Sequence, residues 1–468
     1  MYMNEYEVAC MGQIGKSIWI DQIQRPEEIT RLEQDKETDV LIVGGGMTGI
    51  LLAHRLKEDG ISSIIAEAKT IGSGTSGNTT AKITAQHGLI YTDIINRYGT
   101  EKAQMYYDAN IQAIDQFRTL SERYPCDFEA NNAYVFSTDN RLKLEREADA
   151  YAKIKIPARI DDDLPLPFET KGAVIMENQA QFHPLKLLYA LAYNKEAKAS
   201  KEAKASKEAK ASKEIYEQTQ IHRIDNGKAI TDQGKTITAK YIVLATHYPM
   251  INIPGLYFVK LYQHRSYVIA LENAPDLNGM YLSEKEDGLS FRNYQNLLFV
   301  GGGDHKTGKC RHGGGYVELR DMIRTFYPEA NCRYHWAAQD CMSLDGIPYI
   351  GKFNGSKYHL FVATGFNKWG MTGAMIAAGV IKDLIAHGKS EYEELYSPRR
   401  SIFTKQLGNN LISAASGLLK FGGPRCSHMG CKLHWNRAEM TWDCPCHGSR
   451  FGEGGSVIDN PAKRRINV

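Results

Sequence analysis

The sequence predicts a multidomain α/β protein: a domain built on a parallel sheet, a β-rich region inserted into it, and a small all-β module at the C-terminal end. Two strand–glycine turn–helix patterns, one beginning near residue 38 and one near residue 360, predict the parallel sheet. Residues 258–340 between them are rich in aromatic and β-branched side chains, which favour strands. Residues 421–468 are rich in Cys, Gly and His, which is typical of a small metal-binding module.

Length and charge set only broad limits. A chain of 468 residues is too long for one ordinary core and favours two or three domains. The 57 basic and 54 acidic residues leave a net charge of +3, which gives no argument for nucleic acid or an anionic membrane as a partner. Because no apolar run reaches 18 residues and the N-terminal segment lacks the features of a signal peptide, we expect no transmembrane helix and a cytoplasmic location.

The first strand–helix–strand unit carries a nucleotide-binding pattern. Asp39–Val43 is predicted as a buried strand, and the turn that follows places glycine at Gly44, Gly46 and Gly49. The first glycine permits the tight turn, the second lets backbone approach a pyrophosphate, and the third allows close helix–strand packing. Glu67, at the end of the second strand, is positioned to bind ribose hydroxyls. The alternative is an accidental glycine-rich turn, which the combined pattern disfavours.

Two later segments indicate a larger cofactor than a single nucleotide. Residues 72–82 follow the second strand and offer many backbone donors. Residues 363–373 follow the predicted strand 359–362 and open a helix at Ala374. A second strand–glycine turn–helix, some 300 residues after the first, would converge with it on one extended ligand.

These segments together resemble the D-amino-acid oxidase-like family of FAD-dependent oxidoreductases, which includes glycine oxidase. The resemblance covers about residues 38–390, and it depends on the following segments: Val43–Gly49, Glu67, Ser73–Lys82, Val243–Thr246, Asp345–Gly351 and Thr364–Thr372. It implies an α/β FAD-binding (Rossmann-like) domain with an inserted β-rich substrate domain that covers the flavin. It also implies oxidation of a C–N bond next to a carboxylate or amine.

The resemblance and the glycine pattern together give a set of predicted FAD-binding residues. They are Gly44, Gly46, Gly49, Glu67, Ser73, Thr75, Thr80, Ala81, Lys82, Thr246, Gly365, Gly370, Met371 and Thr372. The catalytic residues stay unknown, with Arg265, Arg292 and His335 as weak candidates because they fall in the β-rich region. An arginine there could clamp a substrate carboxylate bidentately, although a structural or surface role is the alternative for each.

The C-terminal region carries a sharper motif. Cys426-x-His428 is followed, after 15 residues, by the string Cys444 to Ser449, which reads Cys-Pro-Cys-His-Gly-Ser. A Rieske [2Fe–2S] cluster needs two thiolates on one iron and two imidazoles on the other, and two Cys–His hooks supply that set. The predicted ligands are therefore Cys426, His428, Cys444 and His447. The alternative is a zinc ribbon that also uses the remaining cysteines of this region.

The two cluster loops resemble those of Rieske proteins in quinol-oxidising respiratory and photosynthetic complexes. In those proteins the cysteines equivalent to Cys431 and Cys446 form a disulfide, so the resemblance implies the same pair here. That family has several strands before the first cluster loop, whereas only residues 417–425 separate this loop from an apolar segment. Completion of the short module by the flavin domain is one hypothesis.

The predicted domain organisation follows from these motifs. Its parts are a lead-in (1–37), the FAD-dependent oxidoreductase domain (38–390), a linker (391–420) and the all-β C-terminal Rieske module (421–468). Within the oxidoreductase domain, 38–90, 170–250 and 341–390 are assigned mainly to FAD binding, and 91–169 and 251–340 mainly to the substrate or cap region. Residues 195–214 repeat a Lys-Glu-Ala-Lys-Ala-Ser hexad and are predicted to form a solvated, charged helix.

Two functions are consistent with this pattern. The first is an enzyme that oxidises an amine or amino-acid-like small molecule and passes electrons from flavin to the Rieske cluster and then to an external acceptor, a protein or a quinone. The second is a flavin and iron–sulfur electron carrier or redox sensor without its own small-molecule substrate. Apart from Gly72–Gly77, which lies in the segment assigned above to the flavin, the sequence has no second Gly-x-Gly-x-x-Gly pattern for NAD(P)H, which favours the enzyme.

Overall fold

A computed structural model describes residues 13–26, 29–193, 212–251, 254–309, 315–354, 359–420 and 422–468. The strands in these ranges form three sheets, labelled here with strands and helices numbered in chain order. The helices are α1 (Ile18–Gln22), α2 (Met47–Glu58), α3 (Ile90–Tyr98), α4 (Thr100–Arg123), α5 (Arg141–Lys153), α6 (Pro184–Tyr193), α7 (Tyr257–Lys260), α8 (Tyr316–Phe326), α9 (Gly370–His387), α10 (Glu393–Tyr396) and α11 (Lys405–Leu419). None of the described helices is both long and apolar enough to cross a bilayer.

The first sheet is the predicted parallel sheet. In spatial order its strands are β17 (Tyr349–Lys352), β18 (Leu360–Thr364), β11 (Thr236–Leu244), β2 (Lys36–Val43), β3 (Ser63–Ala66) and β8 (Lys213–Tyr216). Strand β10 (Lys228–Thr231) pairs antiparallel with β11, and β9 (Ile221–Asp225) pairs antiparallel with β10. Strands β18, β11, β2, β3 and β8 run parallel. Residues 40–43 of β2 are buried, as an apolar strand covered on both faces requires. The α/β domain predicted from the glycine motif is confirmed.

The second sheet forms the β-rich cap. Its strands are β1 (Gln13–Ile14), β16 (Asn331–Met342), β12 (Tyr262–Glu272), β15 (Leu297–Lys306), β14 (Ser290–Tyr294), β13 (Met280–Ser283), β5 (Glu129–Phe136), β7 (Ala173–Gln181) and β4 (Lys82–Ile83), with β6 (Arg159–Asp161) paired to β7. The cap therefore contains strands from both segments predicted to form it, residues 91–169 and 251–340. Residues 173–181 belong to it rather than to the FAD-binding part, because β7 pairs antiparallel with β5.

The third sheet is small, all-β and C-terminal, as predicted. Its antiparallel strands are β19 (His434–Asn436), β20 (Thr441–Asp443), β21 (Arg450–Gly452) and β22 (Val457–Asp459). The four cysteines of this region pack into its core with Leu433 and Phe451. Because so small a core buries little apolar surface, we expect the stability of the module to depend on its contacts with the rest of the chain.

Two sequence predictions change at the edges of the main domain. The predicted charged helix at 195–214 falls mostly at residues 194–211, outside the described residues. Its last two residues are not helical, because Lys213 and Glu214 open β8 and pair with β3. The described part of the lead-in contributes to the core, because Trp19 of α1 is fully buried and its indole N–H donates to the carbonyl of Thr79 at 2.7 Å.

Candidate functional site

One cavity of about 950 Å³ lies between the parallel sheet and the cap. It begins at the carboxyl ends of β2, β3 and β11, where parallel strands place ligand-binding loops. The cap strands β12, β15 and β16 contribute the opposite wall. This volume lies at the upper end of the ~300–1,000 Å³ usual for ligand pockets, so it fits an extended cofactor better than a small molecule alone.

The glycine motif shapes the start of this cavity. Gly44 has a φ of +113°, and a Cβ atom there would collide with the carbonyl of Ala245. A Cβ atom at Gly49 would collide with the carbonyl of Gly44, so close packing of α2 on β2 needs glycine. Met47 and Thr48, the first residues of α2, line the cavity and turn the positive end of the helix dipole toward it. A pyrophosphate fits this arrangement.

Glu67 lies beside the glycine loop with its carboxylate fixed by backbone groups. One oxygen accepts the N–H of Gly45 at 2.7 Å and the other accepts the N–H of Lys69 at 2.7 Å. Burial raises the pKa of Glu67 despite these two hydrogen bonds. The side chain lines the cavity, at the place where a dinucleotide presents ribose hydroxyls.

Most of the predicted FAD-binding residues meet at this cavity. Those that line it are Gly44, Gly46, Glu67, Ser73, Thr75, Thr80, Lys82, Thr246, Gly370 and Met371. The others, Gly49, Ala81, Gly365 and Thr372, lie next to lining residues and outside the lining itself. Thr372, for example, donates its hydroxyl to the carbonyl of Thr84 at 3.4 Å.

The two candidate arginines do not face the cavity. Arg265 is buried and forms an ion pair with Glu439 of the C-terminal module. Arg292 donates to the carbonyls of Thr80 and Ala81, the latter at 3.1 Å, and so holds the cofactor loop from behind. Both guanidinium groups make structural hydrogen bonds, although the Nη2 atom of Arg292 has no partner among the described residues, and neither side chain lines the cavity.

His335 does not line the cavity either. Its ring packs edge-on against Tyr316 at 5.1 Å, and burial lowers its pKa. All three catalytic candidates therefore fall on structural positions of the cap. The sequence placed them in the right region but could not indicate which strand positions face the cavity.

Lys82 is the cationic group of the predicted set that the cavity keeps buried. Its ammonium donates to the carbonyl of Tyr281 at 2.9 Å and to the hydroxyl of Ser290 at 2.7 Å. Burial lowers the pKa of Lys82 to about 7, with the nearby charge of Arg292 acting in the same direction. The amine can therefore change its charge near neutral pH at the cavity wall.

Sequence reasoning missed an aromatic pair at the other end of the cavity. His87 stacks on Trp369 with ring centroids 4.5 Å apart and planes inclined by 14°. The Nδ1 atom of His87 lies 2.5 Å from the hydroxyl of Tyr106, and burial lowers the pKa of His87 to about 3. This neutral, flat pair lines the cavity, and no sequence motif signals it because 282 positions separate its two members.

The four predicted cluster ligands come together in the C-terminal module. The thiols of Cys426 and Cys444 are buried and lie within hydrogen-bond distance of each other, and this hydrogen bond lowers the pKa of Cys426 although burial alone would raise it. The rings of His428 and His447 lie 5.0 Å apart and nearly perpendicular. The Nδ1 atom of His447 is buried with no hydrogen-bond partner among the described residues, which fits a metal-bound imidazole. The pair of thiols beside the pair of imidazoles is the donor set of a Rieske cluster.

Cys431 and Cys446 form a disulfide that joins the two cluster loops, with their Cα atoms 6.6 Å apart. This bond agrees with the pairing implied by the resemblance to Rieske proteins. It also removes two of the thiolates that a zinc ribbon would need. The hydroxyl of Ser449 reaches the sulfur of Cys426, as expected of a group that tunes a cluster from outside its ligand set.

Two buried glutamines of the cap hold the second cluster loop. The amide of Gln263, on β12, donates to the carbonyl of His447 at 2.7 Å. The amide of Gln339, on β16, donates to the carbonyl of Gly448 at 2.9 Å and to the Oε1 atom of Gln263 at 2.6 Å. The flavin domain thereby completes the short cluster module, in agreement with the hypothesis from the sequence.

A buried ion network reinforces this contact. The carboxylate of Glu439 lies between Arg265 of the cap and Arg450 of β21, with the second pair at 2.8 Å. Arg450 also pairs with Asp443 at 3.2 Å and Asp459 at 3.0 Å. Burial alone would raise the pKa of Glu439, but the two arginines more than offset it and the pKa falls below its usual value. The carboxylate is therefore charged and clamps the two domains together.

The cluster module also forms part of the cavity wall. Residues 457–463 line the cavity, and the amide of Asn460 donates to the carbonyls of Thr246 and Tyr248 at 2.9 and 2.8 Å. The backbone carbonyl of Gln339 accepts the hydroxyl of Thr75, a predicted cofactor-binding residue, at 3.2 Å. One residue therefore contacts both the cofactor loop and the cluster loop.

The fold and the two sites define a flavin-dependent oxidoreductase that carries its own iron–sulfur domain. The sequence model of the family described as FAD dependent oxidoreductase matches residues 39–384, and that of the Rieske [2Fe-2S] domain matches residues 396–468. The chain belongs to the FAD dependent oxidoreductase family and ends in a Rieske domain, so its cofactors are FAD and a [2Fe–2S] cluster.

Three relatives illustrate this membership. A putative Rieske 2Fe-2S iron-sulfur protein of Bacillus subtilis (strain 168), YhfW, is 32% identical over 92% of this chain and 93% of its own length. The gamma-glutamylputrescine oxidoreductase of Escherichia coli (strain K12) is 22% identical over 76% of this chain and 85% of its own. The crystal structure of glycine oxidase from Geobacillus kaustophilus covers 79% of this chain and all of its own, with 20% identity and a TM-score of 0.63, and so shares the fold.

Proposed function

We propose that the chain oxidises an amine or amino-acid-like small molecule and passes the electrons through its Rieske cluster to an external acceptor. The observation that carries this proposal is the contact between the two sites. Residues 457–463 of the cluster module form part of the cofactor cavity, and Gln339 touches both the cofactor loop and the second cluster loop. A protein that holds two redox groups in such a fixed arrangement sets the distance for electron transfer between them.

The cluster is assigned to Cys426 and Cys444 on one iron and to His428 and His447 on the other. The FAD is assigned to the cavity, with its pyrophosphate at the glycine loop. FAD bound in this cavity would supply a two-electron oxidant, and an amine that gives up two electrons and two protons becomes an imine, which water hydrolyses. A [2Fe–2S] cluster held by these four residues would supply a one-electron carrier.

Two lines support an amine or amino-acid substrate. Gamma-glutamylputrescine oxidoreductase and glycine oxidase act on amino compounds according to their names, and they match 76% and 79% of this chain. Lys82 supplies a partly buried ammonium at the cavity wall, which suits a substrate carboxylate. The aromatic pair of His87 and Trp369 supplies a flat, neutral surface in the same cavity.

The test is an anaerobic absorption spectrum of the purified protein, with iron and zinc analysis, before and after addition of candidate amines and amino acids. Bleaching of the flavin bands by one compound, with about two irons per chain, supports the proposal and names the substrate class. A Cys444→Ser variant is the matched control: its flavin should still bleach with the same compound, but an external one-electron acceptor should stay oxidised. A flavin that no small molecule bleaches would instead support a carrier or redox sensor.

A further inference from the structure

Helix α11 buries its polar and small side and exposes its apolar side. Toward the protein it directs Asn410, Ser413 and Gly417, which are buried. Four of its large apolar residues are exposed, Leu411 by 50%, Ile412 by 70%, Leu418 by 44% and Leu419 by 74%, while Leu407 near its start is half-buried. Soluble proteins orient an amphipathic helix the other way, so this face is made to meet something apolar.

The inner face of α11 is fixed by specific contacts. The amide of Asn410 donates to the carbonyl of Val259 at 3.0 Å, and Gly417 packs directly against the Cys431–Cys446 disulfide. The carbonyl of Gly417 accepts the N–H of Lys432 at 3.1 Å. The exposed apolar residues of α11 are Leu411, Ile412, Ala415, Leu418 and Leu419. Because residues at this spacing share one side of an α-helix, they form a single stripe opposite the buried contacts.

The stripe lies beside the first cluster loop. Arg425, which opens that loop, donates to the carbonyl of Lys420 at 2.9 Å and to that of Gly430 at 2.7 Å. Met429, the residue after the cluster ligand His428, is itself 38% exposed. The end of α11 and the exposed edge of the cluster loop are thus neighbouring parts of one surface.

Cations surround this surface. Lys420 and Arg425 are exposed at the end of α11, and Arg464 and Arg465 are exposed beside the loop. The hydroxyl of Ser427, in the first cluster loop, donates to the carbonyl of Arg464 at 2.5 Å, and this hydrogen bond holds the segment with Arg464 and Arg465 against the loop. The balanced charge of the whole chain conceals this local excess of positive charge.

We propose that the α11 stripe and its flanking cations form a docking surface for an anionic lipid bilayer. An apolar helical face edged with Lys and Arg is the pattern of a helix that lies in the membrane interface, and each cation near an anionic leaflet adds attraction. A second copy of the chain is a poorer occupant, because a two-fold contact through this face would bring the same cations together. The stripe is aliphatic and the cations stand at its edge, which suits acyl chains below charged headgroups.

This surface would bring the first cluster loop, with His428, to the membrane. In combination with the proposed function, on which this part of the inference rests, the external acceptor is a lipid-soluble quinone, which two single electrons from the cluster and two protons from water convert to the quinol. Membrane binding itself does not depend on electron transfer, so the two proposals can fail separately.

The test is flotation of the purified full-length holoprotein with two kinds of vesicle, phosphatidylcholine alone and phosphatidylcholine mixed with phosphatidylglycerol. We expect binding to the anionic vesicles that weakens with salt. The double variant Ile412→Ser/Leu419→Ser should bind at least about tenfold less, since several buried methylene groups are lost. Leu142→Ser, which changes a leucine 63% exposed on α5, is the matched control and should bind like the natural protein.

Either of two results would overturn the docking surface: no flotation with anionic vesicles, or equal flotation of the double variant. A dimer in analytical ultracentrifugation that the double variant dissociates would assign the stripe to a second copy instead. Flavin-to-cluster electron transfer, measured without vesicles in the same preparations, reports on the proposed function independently. Normal transfer with no flotation would remove only the membrane proposal, and flotation without transfer would remove only the electron pathway.

Discussion

The substitution Gln339→Leu should weaken the contact between the cluster module and the flavin domain and so slow electron transfer from flavin to cluster. In the natural protein the amide of Gln339 donates to the carbonyl of Gly448 and to Gln263, and all of these atoms are buried. Leucine keeps a similar volume but leaves both acceptors without their donor. A buried acceptor that loses its partner costs ~1–3 kcal/mol, so the variant should lose about 2–6 kcal/mol of stability at this contact. Even the lower figure shifts a docking equilibrium by more than about tenfold.

The assay is anaerobic stopped-flow absorption, which follows flavin reduction by substrate and cluster reduction separately. Flavin reduction should keep its natural rate, while the transfer to the cluster should slow by at least about tenfold. Gln179→Leu is the matched control, because this buried glutamine of β7 accepts the N–H of Ala85 at 2.7 Å far from the cluster loops. It should lower the thermal midpoint without slowing the transfer. Unchanged stability and unchanged transfer in Gln339→Leu would refute the reasoning.

Three further changes test other parts of the account. Glu439→Gln leaves Arg265 and Arg450 buried with less compensation, which should cost ~3–5 kcal/mol in calorimetric unfolding; an unchanged unfolding midpoint would contradict the clamp. Burial lowers the pKa of Lys82 to about 7, so the KM of an anionic substrate should rise as the pH increases through that value. Lys82→Arg keeps the charge and should flatten this pH profile, and an identical profile would exclude Lys82 as the anchor. Gly44→Ala should abolish FAD binding, measured as bound flavin per chain, because the added Cβ atom collides with the carbonyl of Ala245. The control Gly408→Ala, on α11, adds a Cβ atom in open space, so this variant should bind FAD normally.

The sequence predicted those parts of the two sites whose residues lie close together in the chain and form a recognisable motif. The glycine spacing at Gly44–Gly49 and the carboxylate of Glu67 depend on neighbouring backbone, and both lie at the cavity as expected. The Cys–His hooks of the cluster and the implied Cys431–Cys446 disulfide are equally local, because each loop carries its own donors.

The parts that escaped prediction depend on contacts between distant segments. Arg265 was a candidate for substrate binding, but its partner Glu439 lies 174 positions away in another domain. The glutamines Gln263 and Gln339 belong to no motif, and their role appears only when β12 and β16 meet the cluster loop. The same holds for α11, which the sequence placed in a linker with an apolar helix, whereas the structure packs it on the disulfide with its apolar face outward.

The central claim is that the flavin site and the Rieske cluster of one chain form a single electron pathway. The most direct test is rapid freeze-quench electron paramagnetic resonance of the anaerobic protein after mixing with the substrate that bleaches its flavin. The account predicts that the signal of the reduced [2Fe–2S] cluster appears during the first turnover, after the flavin bands begin to fall. Complete flavin reduction while the cluster stays oxidised would contradict it.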